Sequence, residues 1–304
     1  MKTVAISIGD LNGVGLEIAL KAHKEVQKLC NPVYCINAEL LLEASKLLHA
    51  KVPEDFTLHS VDGFFTIQPG VVDAQSGRYA YDSFMSAIAL CESAKADAVV
   101  TMPIHKEAWM MAGLEYKGHT DLLRKHFNKE AIMMLGCPEM FVALFTEHIP
   151  LKEVASSIKY KILKQFFLDL HNSIKKDKIA VLGLNPHAGD NGVLGHEELI
   201  ITKAIKSANN KIGFEQFIGP VVPDVAFTPH FRKNYNYYVA MYHDQGLAPL
   251  KALHFDESVN ISLNLPIIRT SVDHGTAFDI AYQGKAKSLS YINAIKSAIR
   301  LMDV

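Results

Sequence analysis

Three histidines stand directly after runs of apolar residues: His148 follows FVALFTE, His187 follows IAVLGLNP, and His243 follows YVAMY. A strand covered on both faces reads as a continuous apolar run, and in open parallel sheets ligands gather at the carboxyl ends of such strands. If the three runs are parallel neighbours, their imidazoles converge on one rim. Three neutral imidazoles around a divalent ion leave a coordination position open for substrate, as in a catalytic rather than a structural metal site. The alternative is a set of unrelated loop histidines, since the chain has 14. His23, His49, His126 and His171 fall within helical patterns, where an exposed or capped imidazole is ordinary. Neither HExxH nor a paired CxxC occurs, and HEELI at 196–200 has the wrong spacing, so metalloprotease and zinc-finger readings lose their usual support.

Further polar residues suggest an anionic ligand. IGDLNGVGLE opens a helix with Gly9, Gly13 and Gly15, but its spacing is not that of the dinucleotide fingerprint, and Asp10 would repel a phosphate. It reads as a tight strand-to-helix turn, either on the rim of a site or serving turn geometry alone. KGHTDLLRKHF puts His119 and Thr120 at a helix entrance, with Thr120 or Asp121 as an alternative N-cap. The glycine-rich NPHAGDNGVLGHEE also ends at a helix start, where free N–H groups would meet an anion or be capped. Lys251, Asn260 and Arg269 lie beside apolar strands, and Asp273 and His274 follow another apolar run. Burying that much polarity requires partners or a ligand, and a phosphorylated or carboxylated substrate is the economical inference.

The elements that must position these groups alternate regularly. VAISI is followed by LEIALKAH, VYCIN by ELLLEASKLL, and AVVTM by KEAWMMA; AIMML, FVALF, IAVLGL, YYVAMY and VNISLNL continue the series. Short apolar runs alternating with amphipathic stretches predict an α/β architecture with crossover helices. At 304 residues and 49% hydrophobic content, two domains are expected. A net charge of −1 provides no electrostatic footprint for nucleic acid or an anionic membrane, so the expected partner is a small molecule. The opening MKTVAISIGD reaches glycine and aspartate before any apolar core long enough for a signal peptide, and no run approaches a membrane span, so a cytoplasmic protein is expected. Cys30, Cys35, Cys91 and Cys137 match neither a zinc knuckle nor a redox pair and are expected to be reduced packing residues.

Taken in order, IGDLNGVGLE, TMPIHK, KGHTD, TEHIPL, LNPHAGDNG, AMYHDQGLAPLK and VNISLNLPIIRTSVDHGTAFDIA resemble the 4-hydroxythreonine-4-phosphate dehydrogenase family of pyridoxal phosphate biosynthesis, over nearly the whole chain. The resemblance implies a fold like isocitrate and isopropylmalate dehydrogenases, with two α/β/α domains, a cleft between them and a homodimer that shares the site. It implies a discontinuous cofactor-side domain of residues 1–122 plus 252–304. Residues 123–251 then form a second domain with most metal ligands and the dimer interface. Carried over residue by residue, the metal ligands fall on His148, His187 and His243. The substrate-binding residues fall on His119, Thr120, Lys251, Asn260 and Arg269. His274, Gly275, Thr276 and Asp279 become the positions that contact NAD or NADP. Leu11 and Leu16 stand where the family pattern has prolines, and Asp121 and Asp190 where glutamate is common.

The activity so implied is NAD-dependent oxidation of the C3 hydroxyl of 4-phosphooxy-L-threonine, with decarboxylation to 3-amino-2-oxopropyl phosphate. A divalent ion (Zn, Mg, Co or Mn) would lower the pKa of the substrate alcohol. Asp244 and Asp224 are the expected partners of ligating imidazoles, with Asp244 alternatively capping its turn and Asp224 standing as the general base. The nearest alternative substrate is 4-phospho-D-threonate or D-erythronate. A metal-dependent phosphatase or other hydrolase is an alternative of another class.

Overall fold

The structure, a computed structural model, describes residues 1–302 and divides the chain into two compact units. One comprises Met1–Ala131 and the described residues from Val259 to Met302; the other is Ile132–Ser258. The expected boundaries at 122/123 and 251/252 fall inside helices, whereas these changeovers lie at strand entrances. A helix is held by hydrogen bonds across four residues and moves with one body, so the break lies beside it rather than within it.

In chain order the first unit begins with β1 (Thr3–Ser7), α1 (Gly15–Val26), β2 (Asn31–Cys35), α2 (Ala38–Leu47), β3 (Leu58–His59), α3 (Ala74–Glu92), β4 (Ala98–Thr101), α4 (Lys106–Met111) and α5 (His119–Phe127). The second unit holds β5 (Ile132–Cys137), β6 (Met140–Leu144), α6 (Leu151–Ser157), α7 (Tyr160–Ser173), β7 (Ile179–Leu182), α8 (Glu197–Ile212), β8 (Phe217–Val221), α9 (Pro223–Ala226), α10 (Pro229–Arg232), β9 (Tyr237–Ala240) and α11 (His243–His254). The chain then returns to the first unit as β10 (Val259–Leu263), β11 (Ile268–Val272) and α12 (Leu289–Met302).

The first unit's strands run in the order β3-β2-β1-β4-β11-β10, parallel except for the β10–β11 pair. The second unit's run β5-β6-β9-β7-β8, parallel except for β5–β6. Helical crossovers bury both faces of such sheets, which is why β1, β4, β6, β7 and β9 read as unbroken apolar runs. Start signals are legible: Asn37 caps α2 through Leu40 N–H, and Asp73 caps α3 through Gln75 and Ser76 N–H. No helix among the described residues is long and apolar enough to cross a membrane. The cysteines are unpaired, with Cys35 and Cys137 inside strands. His23, expected at an ordinary helical position, is fully buried between the Tyr34 hydroxyl and the Asp55 carboxylate.

Candidate active site

In the second unit β6, β9 and β7 are adjacent and parallel, and they are the three strands that precede His148, His243 and His187. Their carboxyl ends therefore share one rim. The rings of His148 and His243 lie 5.3 Å apart, centroid to centroid. His243 Nδ1 lies 2.7 Å from Asp244 Oδ1. An ionised carboxylate can only accept, so in a neutral ring held this way Nδ1 bears the proton and Nε2 has the lone pair that a cation needs. Asp244 is thus set to fix a tautomer from an exposed position at the start of α11.

His187 reaches this rim differently. It begins a run of left-handed residues, His187, Ala188, Gly189, Asp190 and Asn191, whose φ values lie between 42° and 76°. Four of these are not glycine, and such backbone is kept only where surrounding bonds enforce it. Here the buried Glu198 does so: Oε1 accepts Leu184 N–H at 2.8 Å and Asn185 N–H at 2.7 Å, and Oε2 accepts Asn185 Nδ2–H at 2.9 Å. The α8 start itself, with His196 at the N-cap, has no side-chain capping bond. Among the described residues no three His, Cys, Asp or Glu groups form a metal-holding set. The His148–His243 pair has a donor type and a closeness that suit a divalent cation, and His187 does not complete a triad with it. Asp224 lies exposed on α9, which packs against β7 and the His187 turn. Lys251 is on α11, with its ammonium 5.3 Å from the Phe255 ring centroid.

The first unit holds Arg269, His119 and Asn260. Arg269, on β11, is 2% exposed; its guanidinium donates to Ser262 Oγ at 3.1 Å and Thr101 Oγ1 at 2.8 Å. No carboxylate among the described residues neutralises it, and burial pushes its pKa down to about 9. His119 begins α5, edge-on to the rings of Phe84 and Trp109. Burial, reinforced by the charges of Arg269 and Lys106, holds its imidazole well below the usual histidine pKa. The buried atoms His119 Nε2, Asn260 Oδ1 and Arg269 Nε all lack a partner. Orphaned polar atoms are rare inside proteins, and His119, which feels the charge of Arg269, and Arg269 itself each offer one to a ligand. Gly118 is the N-cap of α5, with Thr120 in the first turn; Asp121 reaches back to accept Lys117 N–H at 3.0 Å.

One consequence is measurable without ligand. His119 binds a proton at neutral or mildly acidic pH only when the chain unfolds. Its contribution to stability is therefore complete above about pH 6.5 and is lost as pH falls toward the depressed folded value, at up to about 1.4 kcal/mol per pH unit. Unfolding curves between pH 7.5 and 5.5 should show this slope, and His119→Asn should flatten it. An unchanged slope would count against a buried neutral imidazole.

The expected cofactor-side residues form a surface loop. His274 and Asp279 are exposed, and His274 Nδ1 lies 2.9 Å from Gly275 O. A Cβ on Gly275 would meet nothing within 4 Å. Thr276 anchors the loop: its carbonyl accepts Val14 N–H at 3.0 Å, and a Cβ on Gly13 would stand 2.7 Å from the same oxygen. The glycine turn is therefore the seat on which this loop rests. Asp10 is buried in that turn and accepts from the Ser76 hydroxyl and Asn12 N–H; burial raises its pKa despite these bonds. His105 stacks on Phe278 with centroids 4.9 Å apart. Sequence reasoning passed over Thr101, Ser262 and Ser76, whose hydroxyls acquire meaning only from the buried charges they face.

Comparisons with known proteins place the chain in a family. A family model described as pyridoxal phosphate biosynthetic protein PdxA matches residues 28–298. The chain is 74% identical over 298 residues to a 4-hydroxythreonine-4-phosphate dehydrogenase of Sulfurimonas denitrificans, covering 98% of this chain and 97% of that protein. A crystal structure of a 4-hydroxythreonine-4-phosphate dehydrogenase from Klebsiella pneumoniae matches with a TM-score of 0.86 and 33% identity, covering 99% of this chain and 100% of that one. A β-decarboxylating dehydrogenase from Thermococcus kodakarensis shares the fold alone, with a TM-score of 0.51, 15% identity, and coverage of 100% of this chain and 83% of that one.

Proposed function

The chain belongs to the PdxA family of pyridoxal phosphate biosynthetic proteins, and from that membership we propose how its residues carry out the family reaction. It is an oxidoreductase acting on a CH–OH group, a 4-hydroxythreonine-4-phosphate dehydrogenase of pyridoxal phosphate biosynthesis. The substrate is 4-phosphooxy-L-threonine, which loses hydride from C3 and then carbon dioxide, leaving 3-amino-2-oxopropyl phosphate. When bound, a divalent ion supplies Lewis acidity at the C3 oxygen and the nicotinamide supplies the hydride acceptor.

The chain's own groups do the rest. His148 and His243 would hold the ion, with His187, whose segment reaches the same rim, as the third ligand of the proposed set, and Asp244 would keep the His243 lone pair available. Arg269 and Lys251 meet the negative charges of the substrate, while His119, Thr120 and Asn260 hydrogen-bond to it and fix the direction of C3. A neutral His119 suits this role, because it offers one donor and one acceptor. Asp224 takes up the hydroxyl proton. His274, Gly275, Thr276 and Asp279 line the NAD side, with NADP as the alternative cofactor.

The observation that carries this reading is the arrival of all three histidine-bearing segments at one end of three adjacent parallel strands. The working form is taken as a homodimer in which a second subunit helps complete the site. Ile149, Leu151, Val193, Leu194 and Leu199 support this, being large, apolar and exposed beside the His148 and His187 segments.

The test is NADH absorbance with 4-phosphooxy-L-threonine, run with and without chelator and in parallel with 4-phospho-D-threonate and D-erythronate. The expected result is NADH formation with the first compound, abolished by chelation and restored by Zn, Co, Mn or Mg. Phosphate release without NAD would replace this reading by the hydrolase.

A further inference from the structure

Between His243 and the rest of its helix stands Gln245, 9% exposed, and its carboxamide spans two of the three histidine segments. Oε1 accepts Met241 N–H at 2.7 Å, and Nε2 donates to Gly183 O at 2.7 Å. Gly183 directly follows β7 and leads into the turn that carries His187. The same Met241 accepts, through its carbonyl, the Thr146 hydroxyl at 2.6 Å, and Thr146 lies two residues before His148. One connected path thus runs from the His148 segment through Met241 and Gln245 to Gly183. There Glu198 takes over, binding Leu184 and Asn185 N–H. Gly246 permits the geometry: a Cβ there would stand 2.4 Å from Val142 Cγ1, so α11 begins directly upon β6.

The side chain is chemically specified. It must accept from an N–H at one end and donate to a C=O at the other, both out of water, and among side chains of this length only a carboxamide does both without taking up a proton. Its amide orientation is dictated by those fixed backbone partners rather than by choice. A carboxylate of the same shape would face the Gly183 oxygen with an oxygen, and an apolar chain would leave both backbone groups unpaired.

We propose that Gln245 is a positioning residue for the reaction, clamping the strand end that carries His187 to the helix start that carries His243 and so setting the spacing of the imidazoles. The inference rests on the reading that these histidines hold the divalent ion, and adds to it the residue that keeps their segments in register. Groups that orient metal ligands from behind typically govern 10–100-fold in metal affinity.

The test uses cobalt(II), whose visible absorption reports coordination number and geometry, on the full-length wild type, Gln245→Glu, Gln245→Met and His243→Ala. Gln245→Glu and Gln245→Met should bind cobalt about 10–100-fold more weakly, with an altered visible band. At saturating metal they should keep a reduced kcat with KM for the phosphorylated substrate changed much less. A residue that merely stabilises the fold would lower the melting temperature and leave the cobalt band and kcat at saturating metal as in the wild type; that result overturns the proposal. If Gln245→Glu fails to fold, Gln245→Met decides alone by the same criteria. His243→Ala separates the two levels. If it loses cobalt while both Gln245 variants keep wild-type affinity and spectrum, the clamp is wrong and the metal reading stands. If His243→Ala also keeps cobalt, the metal reading falls and takes the clamp with it.

Discussion

His243→Ala is expected to lower kcat/KM by at least about 10³-fold and to abolish metal retention, while the fold survives. The side chain is 38% exposed at the first residue of α11. Its removal therefore leaves no core cavity, and the stability change should stay within about 1 kcal/mol. What it removes is one of two imidazoles whose rings stand 5.3 Å apart. With that pair broken, His148 and the more distant His187 segment are expected not to retain a divalent ion against dialysis. Metal content after dialysis, circular dichroism and NADH formation measure the three parts of the expectation. Wild-type turnover in a metal-free variant would remove the reason for placing the chemistry at this rim.

Arg269→Met should separate function from stability in the opposite direction. The guanidinium is buried, lacks a carboxylate partner among the described residues, and is satisfied in part by two hydroxyls. An apolar chain of similar length removes the cost of keeping an uncompensated charge out of water, against the loss of two bonds to hydroxyls that can turn to other partners. The melting temperature without substrate should therefore hold or rise. Under the proposed role of Arg269 in meeting the substrate's anionic groups, loss of its charge should nonetheless lower kcat/KM by about 10²–10³-fold, mostly through KM. Arg269→Lys would not rescue it, because an ammonium cannot bridge Ser262 and Thr101 with a planar fork. A variant with wild-type KM would take Arg269 out of substrate binding.

Much of the fold was readable because a strand buried on both faces announces itself by composition alone. VAISI, AVVT, FVAL, IAVL and YYVA are strands β1, β4, β6, β7 and β9, and the amphipathic stretches between them are helices. The strand-end histidines were readable for the same reason, since position relative to a buried run is a local property. The boundaries of the units were less so: α5 and α11 carry no local mark of which body they join, and the changeovers at Ala131/Ile132 and Ser258/Val259 depend on packing partners remote in sequence.

YHDQG shows where local reading stops. The sequence by itself determined that His243 ends a buried run and that Asp244 is near enough to hold its ring, because adjacency along the chain guarantees adjacency in space. It also determined the α/β class, through the period of its apolar residues. Only the tertiary structure decided that β6, β9 and β7 lie side by side, that Gln245 bonds to a carbonyl 62 residues away, and that Arg269 is surrounded by hydroxyls instead of acids. Strand order is settled by which faces can be buried together, and a polar side chain's partner by what that burial brings within about 3 Å, neither of which is encoded in the spacing of residues along one segment.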